Sequence, residues 1–417
     1  MSRSDLSNDN RKYVSRRHVG DFALDWLATQ VKVIRLYAAR TVLGLTILLL
    51  GALPGVSSAG AQPSSVIGAS GTQLTLHGSV YRFTGVNAYE LATDYGVNAG
   101  CGPQLTPAQL DAFFGSLRPN SLVRIGAPQG SVAINVSTHQ LDWGPLDAVF
   151  AAAAAHGQRL IVSLASQGAV CDGLHWQDVA WYSGGFMGVF NDPSDSNGAG
   201  LDPLSYWDYV QDVVNRYKDS PALGMWEPMS EGGPSTCPTQ FQPANCMGHA
   251  VCTDEASSAQ ALRHFFDVVG GEIHSLDPTH LVESGLLGSG QCGTDDGDYQ
   301  YVSASPGIDV LSYHDYYDAS SVIGGDQWNG MGVRLSQATA LNKPIIGGEA
   351  GILAGPGPGC ITEQQRASDM QAKIEGQLAA GSSGVLVWNW MPTTQSACSM
   401  DIVASDPTMA ILNSASL

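Results

Sequence analysis

Ala222-Leu223-Gly224-Met225-Trp226-Glu227-Pro228-Met229-Ser230-Glu231 starts as an apolar strand and ends in two carboxylates. The polar turn Lys218-Asp219-Ser220-Pro221 precedes it, so the chain enters the run from a loop and leaves it at Pro228. A short apolar run bounded by turn residues reads as a strand covered on both faces. Seven more runs of this kind follow one rhythm: Tyr81–Asn87, Ser121–Ile125, Arg159–Ala165, His280–Glu283, Asp309–His314, Pro344–Glu349 and Gly384–Trp390.

Segments of helical period lie between them. Thr106–Leu117 opens with Thr-Pro-Ala-Gln, an N-cap followed by proline at the first helical position. Leu146–His156 is alanine-rich and stops at Gly157. Pro203–Tyr217, Asp254–Leu276 and Thr362–Ala380 are also periodic, and Gln337–Leu341 precedes the seventh run. Eight buried strands, each separated by a helix, predict an α/β fold: a single-domain (β/α)8 TIM barrel over residues 76–417. The competing topology is a doubly wound sheet. Two long loops, 166–202 after the third run and 232–253 after the fourth, are rich in Gly, Pro, Asn, Cys and aromatics. They fall where barrel sites are built, and they could wall off one end of a cleft.

Residues 1–40 hold eight of the nineteen Lys and Arg but only four of the thirty-eight Asp and Glu. Thr41 to Ala61 carries no charge, and it ends in small residues around Ala59 and Ala61. Residues 1–61 read as a signal peptide with a long basic leader, cleaved after Ala61; an N-terminal anchor is the rival reading. A polar linker, 62–75, follows. Beyond Ala61, eleven basic residues face thirty-four acidic ones, a formal charge of −23. So acidic a chain offers no footprint for nucleic acid or anionic membrane and suits a neutral substrate outside the cell. All eight cysteines lie after Ala61, an even number that favours disulfides in an exported chain, with their pairing open. A zinc site is the rival, but no C-x-x-C occurs.

Polar residues gather at the strand ends: Asn87 on the first, Arg124 on the second, Glu231 after the fourth, His314 on the sixth, Glu349 on the seventh and Trp388 on the eighth. A barrel brings these ends to one mouth. The ordered set resembles glycoside hydrolase family 5, in the large clan of retaining (β/α)8 glycosidases. That clan's fourth-strand motif is Trp-Glu-x-x-Asn-Glu-Pro, and Trp226-Glu227-Pro228-Met229-Ser230-Glu231-Gly232 matches it with Glu231 as acid/base. Its seventh strand often closes Pro-Ile-x-x-x-Glu-x-Gly, and Pro344 to Gly351 fits with Glu349 as nucleophile. Gly85-Val86-Asn87, Val123-Arg124-Ile125, His314-Asp315-Tyr316 and Trp388 extend the match.

The resemblance implies a β-linked oligo- or polysaccharide substrate, no cofactor and no metal. Asn87, Arg124, Ser230, His314, Tyr316 and Trp388 become substrate-binding candidates. Retention needs one carboxylate to attack the anomeric carbon and one carboxylic acid to protonate the leaving oxygen. Glu349 is expected to be ionised by Arg124 and Tyr316, and Glu231 to be raised by burial and its negative neighbour. Glu227 points elsewhere by alternation, as a structural hydrogen-bonding residue. Two departures alter the expected sugar grip. Ser230 stands where the motif has Asn, and the third strand ends Ala165-Ser166-Gln167 without the His that many members carry. Cell-wall galactan, β-mannan and β-glucan all remain open as substrates, and a carbohydrate-binding barrel without turnover is the non-enzyme rival. Trp176, Trp181, Tyr182, Trp207, Trp328 and Trp390 are candidate stacking platforms. Asp295-Asp296-Gly297-Asp298 reads as a solvated turn without calcium-loop spacing. Asp315 and Asp318 read as a sugar-binding rim.

Overall fold

The computed structural model describes residues 65–93, 105–132, 134–135, 138, 140–167, 177–189, 204–234, 252, 254–316, 321–393 and 397–415. The leader 1–61, most of both long loops, Trp176, Asp318 and Cys101, Cys171, Cys237 and Cys246 lie outside the described residues.

Eight parallel strands form the frame: β1 Phe83–Asn87, β2 Leu122–Gly126, β3 Arg159–Ser163, β4 Leu223–Glu227, β5 Leu281–Val282, β6 Leu311–Asp315, β7 Ile345–Ala350 and β8 Gly384–Val387. Their hydrogen-bonded order is β5-β4-β3-β2-β1-β8-β7-β6. A parallel bridge between Glu283 and Val310 joins the two ends, with Ser284 N–H donating to the Val310 carbonyl at 3.0 Å. The sheet therefore closes into a (β/α)8 barrel. A doubly wound sheet keeps open edges, so it is excluded.

The principal helices are α1 Pro107–Gly115, α2 Gly144–Ala155, α3 Tyr206–Tyr217, α4 Glu255–Phe265, α5 Gly297–Ser303, α6 Met331–Leu341, α7 Glu363–Ala380 and α8 Pro407–Ser414. Thr106 caps α1 through a reciprocal box with Gln109, as its Thr-Pro-Ala-Gln opening predicts. The predicted helix Asp254–Leu276 is interrupted: α4 passes into a π turn, Phe266–Gly270, before Gly271–Leu276 completes it. α5 and α8 were not expected. α5 begins inside the acidic turn, where Asp295 Oδ1 accepts from Asn329 and Asn329 Oδ1 accepts from the Asp296 N–H.

The predicted linker contains strands. Gly68–Ser70, Gln73–Leu76 and Ser79–Tyr81 form an antiparallel sheet. Their alternation is real but short, and it pairs through the two-residue turn His77-Gly78. Ile67, Leu74, Leu76 and Tyr81 are buried with the inward residues Phe83, Leu122, Ile161, Met225, Val310, Ile346 and Leu386. The small sheet thus plugs the barrel floor. A second, larger apolar cluster joins the strands' outer faces to the helices. Two disulfides, Cys252–Cys292 and Cys360–Cys398, join described residues, so these four sulfurs are not zinc ligands.

Candidate active site

Inward-facing residues of the barrel pass from apolar at the floor to polar at the mouth. β2 shows this most directly: Leu122 lies in the floor and Arg124, two residues on, faces the site. Arg124 is 4 % exposed and is held from several sides. Its Nε and Nη2 donate to the two Glu227 oxygens at 2.6 and 2.7 Å. Its Nη1 donates to Glu349 Oε1 at 2.6 Å and to Asn87 Oδ1 at 2.9 Å. Its Nη2 also reaches Ser230 Oγ at 2.7 Å. Alternation does not turn Glu227 away: it lies two residues beyond the floor residue Met225, faces the barrel interior without lining the cavity, and anchors the arginine that holds the predicted nucleophile.

Glu349 is aimed by an irregularity. Ile346 faces the floor, so strict alternation would send Glu349 outward. The β6–β7 register slips at this point, pairing Tyr313 with Gly347 but His314 with Glu349. A bulge of this kind re-aims a side chain, and here it turns Glu349 into the site. Tyr316 donates its hydroxyl to Glu349 Oε2. Glu231 lies past the end of β4 with φ of 53°, and its N–H donates to the Gly285 carbonyl at 2.7 Å. His314 Nδ1 stands between the two glutamates, 2.7 Å from Glu231 Oε1 and 3.3 Å from Glu349 Oε2.

The carboxyl oxygens of Glu231 and Glu349 approach within 4.8 Å. That bound falls short of the ~6.5–9.5 Å between the carboxyl groups of inverting glycosidases, as double displacement requires. The two lie on a cavity of about 400 Å³ whose walls include Tyr89, Arg124, Ser163, Ser166, Ser230, Tyr316, Trp388 and Met400. Tyr89 and Trp388 stack at 5.2 Å, with their planes 8° apart. The same Glu231, His314 and Glu349 converge closely enough to ligate a cation, although the Arg124 guanidinium already meets the charge of Glu349.

The charge preferences run opposite to expectation in the free chain. Burial and the negative charge of Glu231 raise Glu349 above the ordinary carboxylate range, despite His314 and Arg124. Burial also works to raise Glu231, but the hydrogen bond and charge of His314 outweigh it and hold that carboxyl low. The cause is positional, since His314 is nearer to Glu231 and Glu349 is the more enclosed. Glu231 keeps 35 % of its side-chain surface open, against 4 % for Glu349.

Of the predicted binding residues, Arg124, Ser230, Tyr316 and Trp388 line the cavity. Asn87 and His314 are buried behind it. Asn87 spends its amide on Arg124 and on the Gly348 carbonyl, at 3.0 Å for the latter. Asp315 is not a rim residue. It faces outward under α7, fully buried, and pairs with Lys373 at 2.9 Å. Trp181, Tyr182 and Trp207 pack with Phe186 and Phe265, and Trp390 packs on Phe113, so these four are core. Trp328 is 58 % exposed and does not line the cavity. Sequence reasoning missed Tyr89 and Met400 as cavity walls. It also assigned no role to Glu283, an ionisable residue ending an apolar run.

No protein-family model matches the chain. Among similar proteins is a probable mannan endo-1,4-beta-mannosidase C of Aspergillus terreus, 27% identical over 337 residues, or 74% of this chain and 78% of the relative. A mannan endo-1,4-beta-mannosidase 8 of Oryza sativa is 25% identical over 68% of this chain and 78% of its own. The fold is shared with the endo-1,4-beta-mannanase of Rhizomucor miehei, with a TM-score of 0.58 and 20% identity over 84% of this chain and 97% of the other. With relatives of this kind over most of its length, and glutamates at the ends of the fourth and seventh strands of a closed barrel, the chain is a glycosidase that resembles glycoside hydrolase family 5.

Proposed function

We propose that the chain cleaves the backbone of a β-1,4-linked mannan by double displacement, with Glu349 as nucleophile and Glu231 as acid/base. The approach of their carboxyl oxygens within 4.8 Å carries this reading. The names of the similar proteins support mannan as the sugar. Arg124 and Tyr316 hold Glu349 from two sides, leaving its carboxylate to attack the anomeric carbon as the glycosidic bond breaks. Glu231 gives its proton to the departing oxygen. It then takes a proton from the water that releases the glycosyl group from Glu349.

A sugar in the cavity supplies what the free chain lacks. It covers the open third of Glu231 and strips its water, which pushes that carboxyl toward its protonated form. The two carboxyls titrate as a pair, so this also favours the ionised form of Glu349. Trp388, stacked on Tyr89, offers the apolar face for a pyranose ring.

Ser230 and Ser166 favour a second reading, a β-D-galactofuranoside of bacterial cell-wall galactan. Ser230 already accepts a bond from Arg124, so its hydroxyl hydrogen and one lone pair remain for the sugar, fewer contacts than an Asn amide offers. We also infer export after cleavage at Ala61, supported by the uncharged segment Thr41–Ala61 and by the two disulfides. Among the described residues no helix is long and apolar enough to cross a membrane.

The test is hydrolysis by the chain beginning at Gln62, with Glu349→Gln beside it. The panel holds β-mannan, mannooligosaccharides, β-glucan and galactofuranosides. Mannan turnover with the β anomer as first product, lost in Glu349→Gln, is the expected result. Brisk turnover of galactofuranosides with mannan untouched would replace mannan by the second reading. An α anomer as first product would overturn double displacement.

A further inference from the structure

Glu283 follows β5 and is 1 % exposed. Its N–H donates to the Trp226 carbonyl at 2.7 Å, which seats it beside Glu227. Its Oε2 accepts the Gly285 N–H at 2.9 Å. Gly285 in turn offers its carbonyl to the N–H of Glu231. The Gly285 peptide is thus tied to Glu283 on one side and to the predicted acid/base on the other. Gly285 has φ of +62°, and a Cβ there would lie 2.2 Å from the Met229 carbonyl oxygen and 2.9 Å from the Glu227 carboxyl carbon. The turn is therefore clamped against both glutamates of the fourth-strand motif.

Charge balance decides the state of Glu283. Arg124 already answers Glu227 and Glu349, and among the described residues Glu283 forms no ion pair. A second buried anion beside Glu227 would have no cation of its own. Burial, then the charge of Glu227, raises Glu283 well above the ordinary carboxylate range.

We propose that Glu283 is a positioning residue: a neutral carboxylic acid whose Oε2 fixes the Gly285 peptide and, through it, the backbone of Glu231. This rests on the acid/base role proposed above for Glu231. An acid displaced from its leaving oxygen slows substrates that need protonation and spares those that do not.

The experiment compares the full chain with Glu283→Gln and Glu283→Met, on a mannooligosaccharide and on 2,4-dinitrophenyl β-mannoside, with Glu231→Ala as reference. Gln is neutral, has the same shape and can accept from Gly285. It should restore the rate to within about threefold, whereas Met should lower kcat on the oligosaccharide by about 10²-fold with KM little changed. On the dinitrophenyl substrate the loss of kcat/KM in Met should be under about tenfold, because that leaving group departs without a proton and kcat/KM does not contain the later step in which Glu231 acts as base. Equal loss of kcat/KM on both substrates in Met, or equal damage in Gln and Met, overturns the proposal. Infrared difference spectra give an independent reading if Met fails to fold. A protonated-carboxyl band present in the native chain and absent in Glu283→Gln is expected, and identical spectra overturn the neutral state. A native chain inactive on both substrates overturns the function instead, and the infrared result still decides the charge of Glu283.

Discussion

A single guanidinium, that of Arg124, answers two buried carboxylates, and they respond differently. Glu227 takes a bidentate bond; although burial works to raise it, Arg124 pulls it down to about 2. Glu349 receives one arginine bond, and burial leaves it raised. An acid whose folded pKa is raised binds more protons folded than unfolded. The cost of ionising Glu349 is therefore absent below the unfolded value and fully present above the folded one. At neutral pH the ionised Glu349 is a stability cost that its proposed role as nucleophile requires. Glu349→Gln should end turnover and raise the Tm near pH 7, with the gain shrinking as pH falls toward 4, as scanning calorimetry at both pH values would show. A Tm that falls equally at both would mean that the carboxylate stabilises its surroundings. The convergence of Glu231 and Glu349 was legible in the sequence, because both sit in motifs at strand ends that a barrel brings together. Residue charge was not, because it depends on which neighbour His314 stands closer to.

Strands and helices were legible wherever one face had to be apolar over several turns, as in α1, α2, α3 and α7. What escaped was set by contacts between elements. The bulge that turns Glu349 inward leaves no mark in Pro344–Gly351, because it is a register slip against β6. The break in the helix after Phe265 has the same character. Gly270 meets Gly307 so closely that a Cβ on Gly270 would lie 2.2 Å from the Gly307 carbonyl oxygen, and one on Gly307 would lie 2.0 Å from that of Phe266. Backbone, not a flexible side chain, fills that space. Gly307→Ala should therefore force the π turn and the loop before β6 apart, at a cost of about 1–3 kcal/mol. Denaturant unfolding would measure it, and a change within about 0.5 kcal/mol would show that the contact yields freely.

At the scale of the whole molecule, a barrel has two ends with different needs: the mouth keeps a cavity, and the floor has to exclude water. The strand count and order were legible because each strand is an apolar run. The floor's cover was not, because Gln73–Leu76 and Ser79–Tyr81 are only four and three residues long, too short to show a strand pattern until they pair. Their task is nonetheless large. Ile67, Leu74 and Leu76 are buried against Phe83, Met225, Val310 and Leu386. Burying such side chains contributes about 1.5–3 kcal/mol each, so the three together supply roughly 5–9 kcal/mol. Whole domains are stable by about 5–15 kcal/mol, so the small sheet carries a large share of the margin. It also ties strands that are far apart in sequence: Tyr81 donates to the Asn120 carbonyl at 2.6 Å, and Arg159 reaches the Ser65 carbonyl at 2.9 Å. A chain beginning at Gln62 should fold and unfold in one cooperative transition. A chain beginning at Arg82 should be insoluble, or should melt at a much lower temperature with exposed apolar surface that binds a hydrophobic dye. Equal melting temperatures for the two would mean that the eight strands close the floor unaided.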